Sequence, residues 1–231
     1  MASSQLHLSL IQSDIVWEDK TTNLNHYASL LSALQGPRHV VVLPEMFSTG
    51  FSMSPKTLAE TMDGPTVAWM RDMARTHRCI LTGSLMIKEE GNYYNRMLWV
   101  QPDGQTAHYD KRHLFAYAGE DQHYTAGESR TIVQVNGWRI ALMVCYDLRF
   151  PVWARNVGGE YDVLLYVANW PQPRSLAWKT LLQARAIENQ CYVAGINRVG
   201  TDAKGNNYSG DSSLLGPMGD QIWQCTGAEA V

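Results

Sequence analysis

The chain has 231 residues, with 19 Lys and Arg against 22 Asp and Glu and a formal net charge of −3. Its basic residues are scattered, which excludes the basic patch expected of a nucleic-acid-binding protein. No apolar run approaches the roughly 20 residues needed to span a bilayer, and the N-terminus lacks the pattern of a signal peptide, so no membrane partner is predicted.

Strand-like apolar stretches recur along the chain, and several are continuous enough to be buried on both faces. The turn composition of Gln101-Pro102-Asp103-Gly104 predicts a hairpin that leads towards Lys111. The glycine-rich segment 200–210 lacks the pattern of a phosphate-binding loop and is predicted to be an ordinary loop. The predicted strands are 6–12, 40–44, 79–87, 96–101, 132–135, 138–145, 162–168 and 192–197.

Helical periodicity is found at 22–35, 65–77 and 175–190. The second of these begins with Pro65, which suits the first turn of a helix. Strands that alternate with helices predict an α/β layered fold. Because no Gly-, Ser- or Pro-rich linker divides the chain, residues 1–231 are predicted to form a single domain.

Cys145 lies at the end of the apolar run 138–144 and precedes the turn-like segment 146–151. A free cysteine more often acts as a small buried hydrophobe. That interpretation is preferred for Cys79, Cys191 and Cys225. A nucleophilic thiol needs a base to take its proton and a cation to stabilise the resulting charge. The position of Cys145 at a strand end makes it the candidate nucleophile.

Two upstream strand ends offer the groups that such a thiol needs. Glu45 follows the predicted strand 40–44, and Lys111 follows the predicted hairpin. Spacing alone leaves alternatives open, because a carboxylate at a strand end is more often a helix cap or a solvated turn residue. Lys111 beside Arg112 is also consistent with ordinary surface charge. The triad of Glu45, Lys111 and Cys145 is therefore a hypothesis from the residues.

Three segments resemble the signature segments of the nitrilase superfamily, in the same order. They are 43–47 (LPEMF), 110–115 (DKRHLF) with Gly119-Glu120, and 144–151 (VCYDLRFP). Asn169-Trp170-Pro171 and the segment 183–190 are similar to the omega-amidase branch. The resemblance extends from Leu6 to about Trp223 and implies the four-layer α-β-β-α sandwich of that superfamily.

The resemblance also implies a role for each matching residue. Glu45 is expected to be the general base, Lys111 to stabilise the oxyanion, Cys145 to be the nucleophile and Glu120 to orient the site. The alternative without a catalytic role is that Glu120 is a solvated loop carboxylate. The expected protein is an omega-amidase that hydrolyses the omega-amide of a small dicarboxylate, such as 2-oxoglutaramate, through a thioester and without a cofactor. An N-carbamoyl hydrolase, a nitrilase and an inactive binding protein of the same fold are the alternatives.

Four residues are predicted to contact the substrate. Arg149 is expected to bind the far carboxylate of the substrate, although it is equally suited to pair with Asp147 or another buried acid and brace the turn. Phe51 and Trp170 are expected to supply apolar walls. The backbone N–H of Tyr146 is expected to join Lys111 in binding the oxyanion. A nearby ammonium in a dry pocket is expected to lower the thiol pKa to about 7.

The remaining expectations concern metals, location and assembly. His108, His113 and His123 do not match a zinc signature, so no metal site is predicted. Four cysteines at irregular spacing are typical of a reducing compartment, which predicts a cytoplasmic location. The resemblance implies a homodimer formed through about 150–158 and 175–190. It also implies that the chain is short at its C-terminus, since family members continue with another strand and a tail.

Overall fold

The computed structural model describes residues 5–231, whose strands form two sheets. The first sheet has the order β1-β2-β3-β4-β5; its first three strands are parallel and its last two join antiparallel. Its strands are β1 Leu8–Leu10, β2 Val40–Val42, β3 Ile80–Glu89, β4 Asn92–Val100 and β5 Thr106–Asp110.

The second sheet has the order β10-β11-β9-β8-β7-β6, with β12 paired to β11. Its central strands β7, β8 and β9 are parallel, and the other pairings are antiparallel. Its strands are β6 Ile132–Val135, β7 Trp138–Val144, β8 Val163–Ala168, β9 Tyr192–Asn197, β10 Val199–Thr201, β11 Asn207–Leu215 and β12 Gln221–Thr226.

Helices cover the outer face of each sheet. The helices are α1 Lys20–Ala33, α2 Pro55–Leu58, α3 Pro65–His77 and α4 Ser175–Asn189. Tyr27 of α1 and Met70 of α3 pack with Val41 of β2, whereas Val40 and Val42 belong to the core between the sheets. Successive side chains of a strand point to opposite faces, so β2 is buried on both. The buried side chains of α4 pack against the second sheet. The predicted four-layer α-β-β-α arrangement is therefore confirmed.

The close fit of α4 depends on a glycine in β9. A Cβ atom built on Gly195 would lie 2.5 Å from Leu182 Cδ1 and 2.9 Å from the Trp178 ring. Both of those side chains are buried on the inner face of α4. Gly195 therefore allows the helix to approach the sheet closely.

Helix boundaries follow local capping. The helix predicted at 65–77 has those bounds, with Pro65 in its first turn and Arg78 as a left-handed C-cap. The helix predicted at 22–35 instead begins at Lys20 and ends at Ala33. The Asp19 carboxylate accepts a hydrogen bond from the Thr22 N–H at 3.0 Å and sets the earlier start.

The prediction of an ordinary loop at 200–210 is wrong. Val199–Thr201 and Asn207–Leu215 pair antiparallel, and the turn between them is closed by the Asp202 carboxylate, which accepts hydrogen bonds from the N–H groups of Lys204 and Asn206. The hairpin is rich in polar and glycine residues, so no alternation of apolar residues marks its strands in the sequence. Its strands can still pair, because pairing uses backbone groups. The strand Gln221–Thr226 was also absent from the predicted set.

Strand positions agree with the other predictions, with shifts at the ends. The longest shift is in β4, which begins at Asn92 rather than at residue 96. None of the helices in residues 5–231 has the length and apolar character needed to cross a membrane.

Candidate active site

Three strand ends bring Glu45, Lys111 and Cys145 together. Glu45 follows β2, Lys111 follows β5 and Cys145 follows β7. The Lys111 Nζ donates to Glu45 Oε1 at 2.9 Å, and both side chains are fully buried. The Cys145 thiol lies close enough to the Glu45 carboxylate for that charge to raise the thiol pKa. The groups that the sequence offered at separate strand ends therefore form one cluster.

Glu120 is the second carboxylate of this cluster. It is fully buried, and its Oε1 and Oε2 accept from Lys111 Nζ at 3.0 and 2.8 Å. The backbone N–H of Phe115 donates to Glu120 Oε2 at 2.6 Å. The alternative of a solvated loop carboxylate is thus inconsistent with its burial, and Lys111 is held between two carboxylates.

Asn95 was missed in the sequence and links the two carboxylates. Its Nδ2 donates to Glu45 Oε1 at 2.7 Å and to Glu120 Oε1 at 3.1 Å. Asn95 is fully buried in β4, two strands from Glu45 in the same sheet. An amide in the interior of a strand is the signal that was available, but the predicted strand began one residue later. Asn95 orients both carboxylates without adding charge.

The pKa of the Cys145 thiol is raised well above 9.0, because burial and the negative charge of Glu45 outweigh the opposing effect of Lys111. The expectation that a nearby ammonium would lower it to about 7 is therefore wrong. One ammonium is shared by two carboxylates, and Glu120 raises the thiol pKa further. The resting thiol is protonated, so a base must remove its proton during attack.

The other charged members of the cluster shift in a consistent way. Burial lowers the pKa of Lys111, but the charges of Glu120 and Glu45 outweigh it and the net shift is upward. The pKa of Glu120 is raised, because burial and the like charge of Glu45 outweigh the attraction of Lys111. Lys111 is therefore a permanent cation in the free protein.

Two of the non-glycine residues with positive φ belong to the cluster or lie next to it. Cys145 has φ +45° and Met46, the residue after Glu45, has φ +44°. Non-glycine residues seldom adopt this left-handed conformation, and they keep it only where the surrounding structure enforces it. The N–H of Met46 is fixed by the Ser84 hydroxyl at 2.8 Å. The backbone at Cys145 and at the residue after Glu45 is therefore held in a constrained conformation.

Cys145 lies in the wall of a pocket of about 230 Å³. The four predicted substrate-contacting residues all line it: Phe51, Tyr146, Arg149 and Trp170. The Phe51 ring lies 5.0 Å from Lys111 Nζ, and the Arg149 guanidinium lies 5.1 Å from the Trp170 ring centroid. Asp147 is hydrogen-bonded to other partners, so Arg149 does not pair with it.

The pocket also contains residues that the sequence did not indicate. Arg174 is the last residue of the short helical turn Gln172–Arg174 before α4, and its guanidinium lies 5.1 Å from the Phe115 ring centroid. The hairpin of β10 and β11 adds a further part of the wall. The additional lining residues that carry charge or hydrogen-bonding groups are Tyr117, Asn169, Arg174, Asp202, Lys204, Asn206 and Tyr208.

The pocket is positively charged. Arg149, Arg174 and Lys204 line it, and no carboxylate in residues 5–231 forms a salt bridge with any of them. The single acid in the wall, Asp202, already accepts from Tyr208 Oη at 2.9 Å and from Asn206. The pocket is therefore suited to an anionic ligand.

The other three cysteines lie outside this pocket. Cys79 and Cys191 are each 2% exposed, and burial raises the pKa of Cys191 to about 12. Cys225 is partly exposed on β12. Within the described part of the chain, no group of three or more His, Cys, Asp or Glu side chains is arranged to hold a metal ion.

The chain belongs to the carbon–nitrogen hydrolase family, whose sequence model matches residues 7–230. It is 50% identical over 217 residues to the omega-amidase YafV of Escherichia coli strain K12, covering 94% of this chain and 84% of the relative. It is 32% identical over 216 residues to the 2-oxoglutaramate amidase of Bacillus subtilis strain 168, covering 92% and 83%.

The fold is also similar to a solved structure. A CN-hydrolase superfamily protein of Xanthomonas campestris, crystallised with an arsenic adduct in its active site, superimposes with a TM-score of 0.94 and 45% sequence identity. The match covers 97% of this chain and 88% of that chain. The nitrilase-superfamily membership that the three sequence segments indicated is therefore confirmed.

Proposed function

We propose that the protein is an omega-amidase, a cysteine hydrolase that cleaves the terminal amide of a small dicarboxylate monoamide such as 2-oxoglutaramate. The observation that carries the proposal is the buried cluster of Glu45, Lys111 and Cys145 at a pocket lined by unpaired arginines. The similarity to an omega-amidase and to a 2-oxoglutaramate amidase supports the same activity.

The reaction begins with attack of the Cys145 sulfur on the amide carbon. Because the resting thiol is protonated, Glu45 takes its proton as the carbon–sulfur bond forms. The negative charge that develops on the amide oxygen is stabilised by Lys111 and by the backbone N–H of Tyr146. A well-placed donor of this kind contributes about 3 kcal/mol in comparable sites.

The tetrahedral intermediate then expels ammonia. Glu45, now protonated, delivers its proton to the leaving nitrogen, so that a thioester on Cys145 and one molecule of ammonia are formed. Glu45 next removes a proton from water, which attacks the thioester carbonyl. The carbon–sulfur bond breaks, the carboxylic acid leaves, and Glu45 returns the proton to the Cys145 sulfur, which regenerates the thiol. Each turnover consumes one water and returns the carboxylate to its starting charge.

Glu120 and Asn95 support these steps from outside the reacting atoms. Glu120 holds Lys111 Nζ with both of its oxygens, and Asn95 holds Glu45 Oε1 and Glu120 Oε1 together. A side chain locked by such hydrogen bonds loses little freedom when the substrate binds. The ammonium is therefore positioned before the oxyanion forms.

Arg149 is proposed to bind the far carboxylate of the substrate. Its guanidinium lies over Trp170 and has no carboxylate partner in the described residues. A guanidinium matches a carboxylate with two parallel hydrogen bonds. Phe51 and Trp170 enclose the carbon chain between the two ends, while Arg174 adds a second positive charge to the same pocket.

An ammonia-release assay tests the activity. The panel contains the omega-amides of 2-oxoglutarate and 2-oxosuccinate, a neutral amide such as butyramide, a nitrile and an N-carbamoyl amino acid. Fast release from the first two supports the proposal. Preference for the nitrile or the carbamoyl compound would assign the other chemistry of the family, and preference for butyramide would remove the dicarboxylate specificity.

We also propose that the protein is a homodimer. Each of the two segments expected to form the contact exposes two apolar side chains: Val152 (89% exposed) and Val157 (63%) in 150–158, and Leu176 (77%) and Ile187 (52%) in 175–190. A contact between two copies of the chain through these segments would remove the four side chains from water. Sedimentation at equilibrium tests assembly, and a monomer at micromolar concentration would contradict it.

A cytoplasmic location and a single domain complete the proposal. The mechanism needs the Cys145 thiol reduced, and the cytoplasm maintains thiols in that state. One hydrophobic cluster includes residues of both sheets, such as Val42 and Val144, which supports folding as a unit. Fractionation of cells tests the first expectation, and coincident unfolding transitions by fluorescence and circular dichroism test the second.

A further inference from the structure

Asp147, two residues after Cys145, is a buried carboxylate that the proposed mechanism does not use. Its exposed fraction is 0%, and it is not among the residues that line the substrate pocket. Burying a carboxylate is unfavourable unless donors satisfy its oxygens. The identity of those donors therefore indicates its purpose.

Four hydrogen bonds converge on this carboxylate. Its Oδ2 accepts from the Val144 N–H at 3.0 Å and from Tyr109 Oη at 2.8 Å. Its Oδ1 accepts from the backbone N–H of His113 at 2.9 Å and from His113 Nδ1 at 2.8 Å. The donors come from both sheets, because Val144 ends β7 and Tyr109 belongs to β5.

The donors stand immediately around the two reactive groups. Val144 directly precedes Cys145, and Tyr109 and His113 lie two residues before and two residues after Lys111. The carboxylate therefore joins the turn that carries the nucleophile to the segment that carries the ammonium. The separation of the thiol and the ammonium depends on this connection.

The turn itself needs such a restraint. Cys145 has φ +45°, a conformation that a non-glycine residue keeps only under constraint. The bond from the Val144 N–H to the Asp147 side chain spans Cys145 and closes the turn around it. Losing that bond would let the strained residue relax and move the sulfur.

Aromatic contacts hold the carboxylate's partners in turn. The His113 ring stacks on the Phe150 ring with a centroid separation of 3.7 Å and an interplanar angle of 6°. Trp153 Nε1 donates to Tyr109 Oη at 2.9 Å. Both partners are therefore restrained, and the geometry at Asp147 is well defined.

We propose that Asp147 is a positioning residue that fixes the Cys145 sulfur relative to the Lys111 ammonium. It acts through the Val144 N–H on one side and through Tyr109 and His113 on the other. The effect on turnover rests on the proposed amidase function, whereas the effect on the thiol does not. A displacement of about 1 Å is enough to lower a rate about 100-fold.

The test compares Asp147→Asn with Asp211→Asn. Asp211 is a matched control, because it is 2% exposed and its carboxylate also accepts several hydrogen bonds, from the hydroxyls of Ser175, Ser209 and Thr226. Asp147→Asn is expected to lower kcat about 100-fold with KM within about twofold, since the substrate pocket is unchanged. Asp211→Asn is expected to lower Tm and leave kcat unchanged.

Alkylation of Cys145 by iodoacetamide is the second readout, measured by mass spectrometry in a Cys225→Ser background. Attack on iodoacetamide needs Glu45 to take the thiol proton and Lys111 to stabilise the charge on the sulfur, so displacing the sulfur from both in Asp147→Asn is expected to slow alkylation at least about fivefold. Asp211→Asn is expected to leave the alkylation rate unchanged. This measurement needs no substrate. If the wild type hydrolyses no omega-amide while alkylation still responds, the amidase function fails and the positioning role stands.

Tyr109→Phe guards against loss of folding in Asp147→Asn. It removes one donor from the carboxylate and keeps the ring, so a smaller decrease in kcat, about fivefold, is expected with the same KM. Equal decreases in kcat and alkylation for Asp147→Asn and Asp211→Asn, in proportion to folded protein, would overturn the proposal. Unchanged kcat in both Asp147→Asn and Tyr109→Phe would also overturn it.

Discussion

Asn169 donates two hydrogen bonds to Glu45. The Asn169 N–H donates to Glu45 Oε2 at 2.8 Å, and the Asn169 side-chain amide donates to the Glu45 carbonyl oxygen. Glu45 follows β2 of the first sheet and Asn169 follows β8 of the second. Asn95 and Lys111 hold Oε1 of the Glu45 carboxylate from within the first sheet, whereas the contact to Oε2 forms across the two sheets. The complete orientation of the proposed base therefore depends on the packing of the two sheets.

The nucleophile gives the first prediction. Cys145→Ala and Cys145→Ser are expected to lower turnover at least about 10⁴-fold. Both side chains are small enough to leave the fold intact, but neither supplies a nucleophile comparable to a thiol whose proton Glu45 removes. With a slow substrate, intact mass should reveal an acyl adduct on Cys145 of the wild type. An adduct mapped to Cys79, Cys191 or Cys225, or full activity in either variant, would move the nucleophile elsewhere.

The protonation state of the thiol gives the second. Burial and Glu45 raise the pKa of Cys145 well above 9.0, so the thiolate is expected to be absent at neutral pH. The ultraviolet absorbance of thiolate, taken as the difference between wild type and Cys145→Ala, should stay flat from about pH 6 to about pH 9. A step centred near pH 7 would mean that Lys111 dominates the thiol's environment. Turnover at neutral pH would then not require Glu45 to act during attack.

Glu120 gives the third. Glu120→Gln is expected to lower kcat about 100-fold, because Lys111 Nζ loses the carboxylate that it contacts through two oxygens and is no longer aimed at the oxyanion. Asp121→Asn, at the exposed neighbouring position, is the control and should retain full activity. Steady-state kinetics on the preferred amide measure both variants. Unchanged kinetics in Glu120→Gln would mean that its contacts are purely structural.

The sequence predicts a feature of the fold or site when residues close together in the chain determine that feature. Pro65 and the apolar spacing after it define α3 to the residue, and strand ends mark Glu45, Lys111 and Cys145. Asn95 was missed because its importance comes from two carboxylates that are 50 and 25 residues away in the chain. No local pattern reports such a contact.

The predictions of a lowered thiol pKa and of a loop at the position of the β10–β11 hairpin were wrong for a related reason. Counting one ammonium near Cys145 predicts a lowered pKa, whereas the sum over Lys111, Glu45 and burial gives the opposite direction. The hairpin is composed of polar residues and glycine, and its side chains line a pocket formed by distant segments. Both properties depend on the complete three-dimensional arrangement.

Asp202 gives the fourth prediction, which concerns acid stability. Burial would raise the pKa of its carboxyl, but hydrogen bonds from Asn206, Tyr208 and the Lys204 N–H outweigh it and leave the pKa below 3.8. A carboxyl group whose pKa is lower in the folded than in the unfolded state stabilises the folded protein at pH values above the unfolded-state pKa. This stabilisation is lost as the pH falls through the folded-state pKa. The free energy of unfolding of wild type should therefore exceed that of Asp202→Asn at neutral pH, and the gap should narrow below 3.8. Urea titrations of both proteins measure it, and a constant gap across that range would contradict the linkage.

The last prediction concerns the charge of the substrate. Arg149 lies over Trp170 in the pocket wall and has no carboxylate partner in residues 5–231, so it is available to bind one. Arg149→Lys keeps the charge but loses the planar pair of donors. It should raise KM for the omega-amide of 2-oxoglutarate about tenfold or more, because one charge-assisted hydrogen bond to the carboxylate is lost. KM for butyramide should change little, because that amide has no carboxylate. Equal effects on both amides, or a wild type that prefers butyramide, would make Arg149 a structural residue and leave the amidase without a dicarboxylate preference.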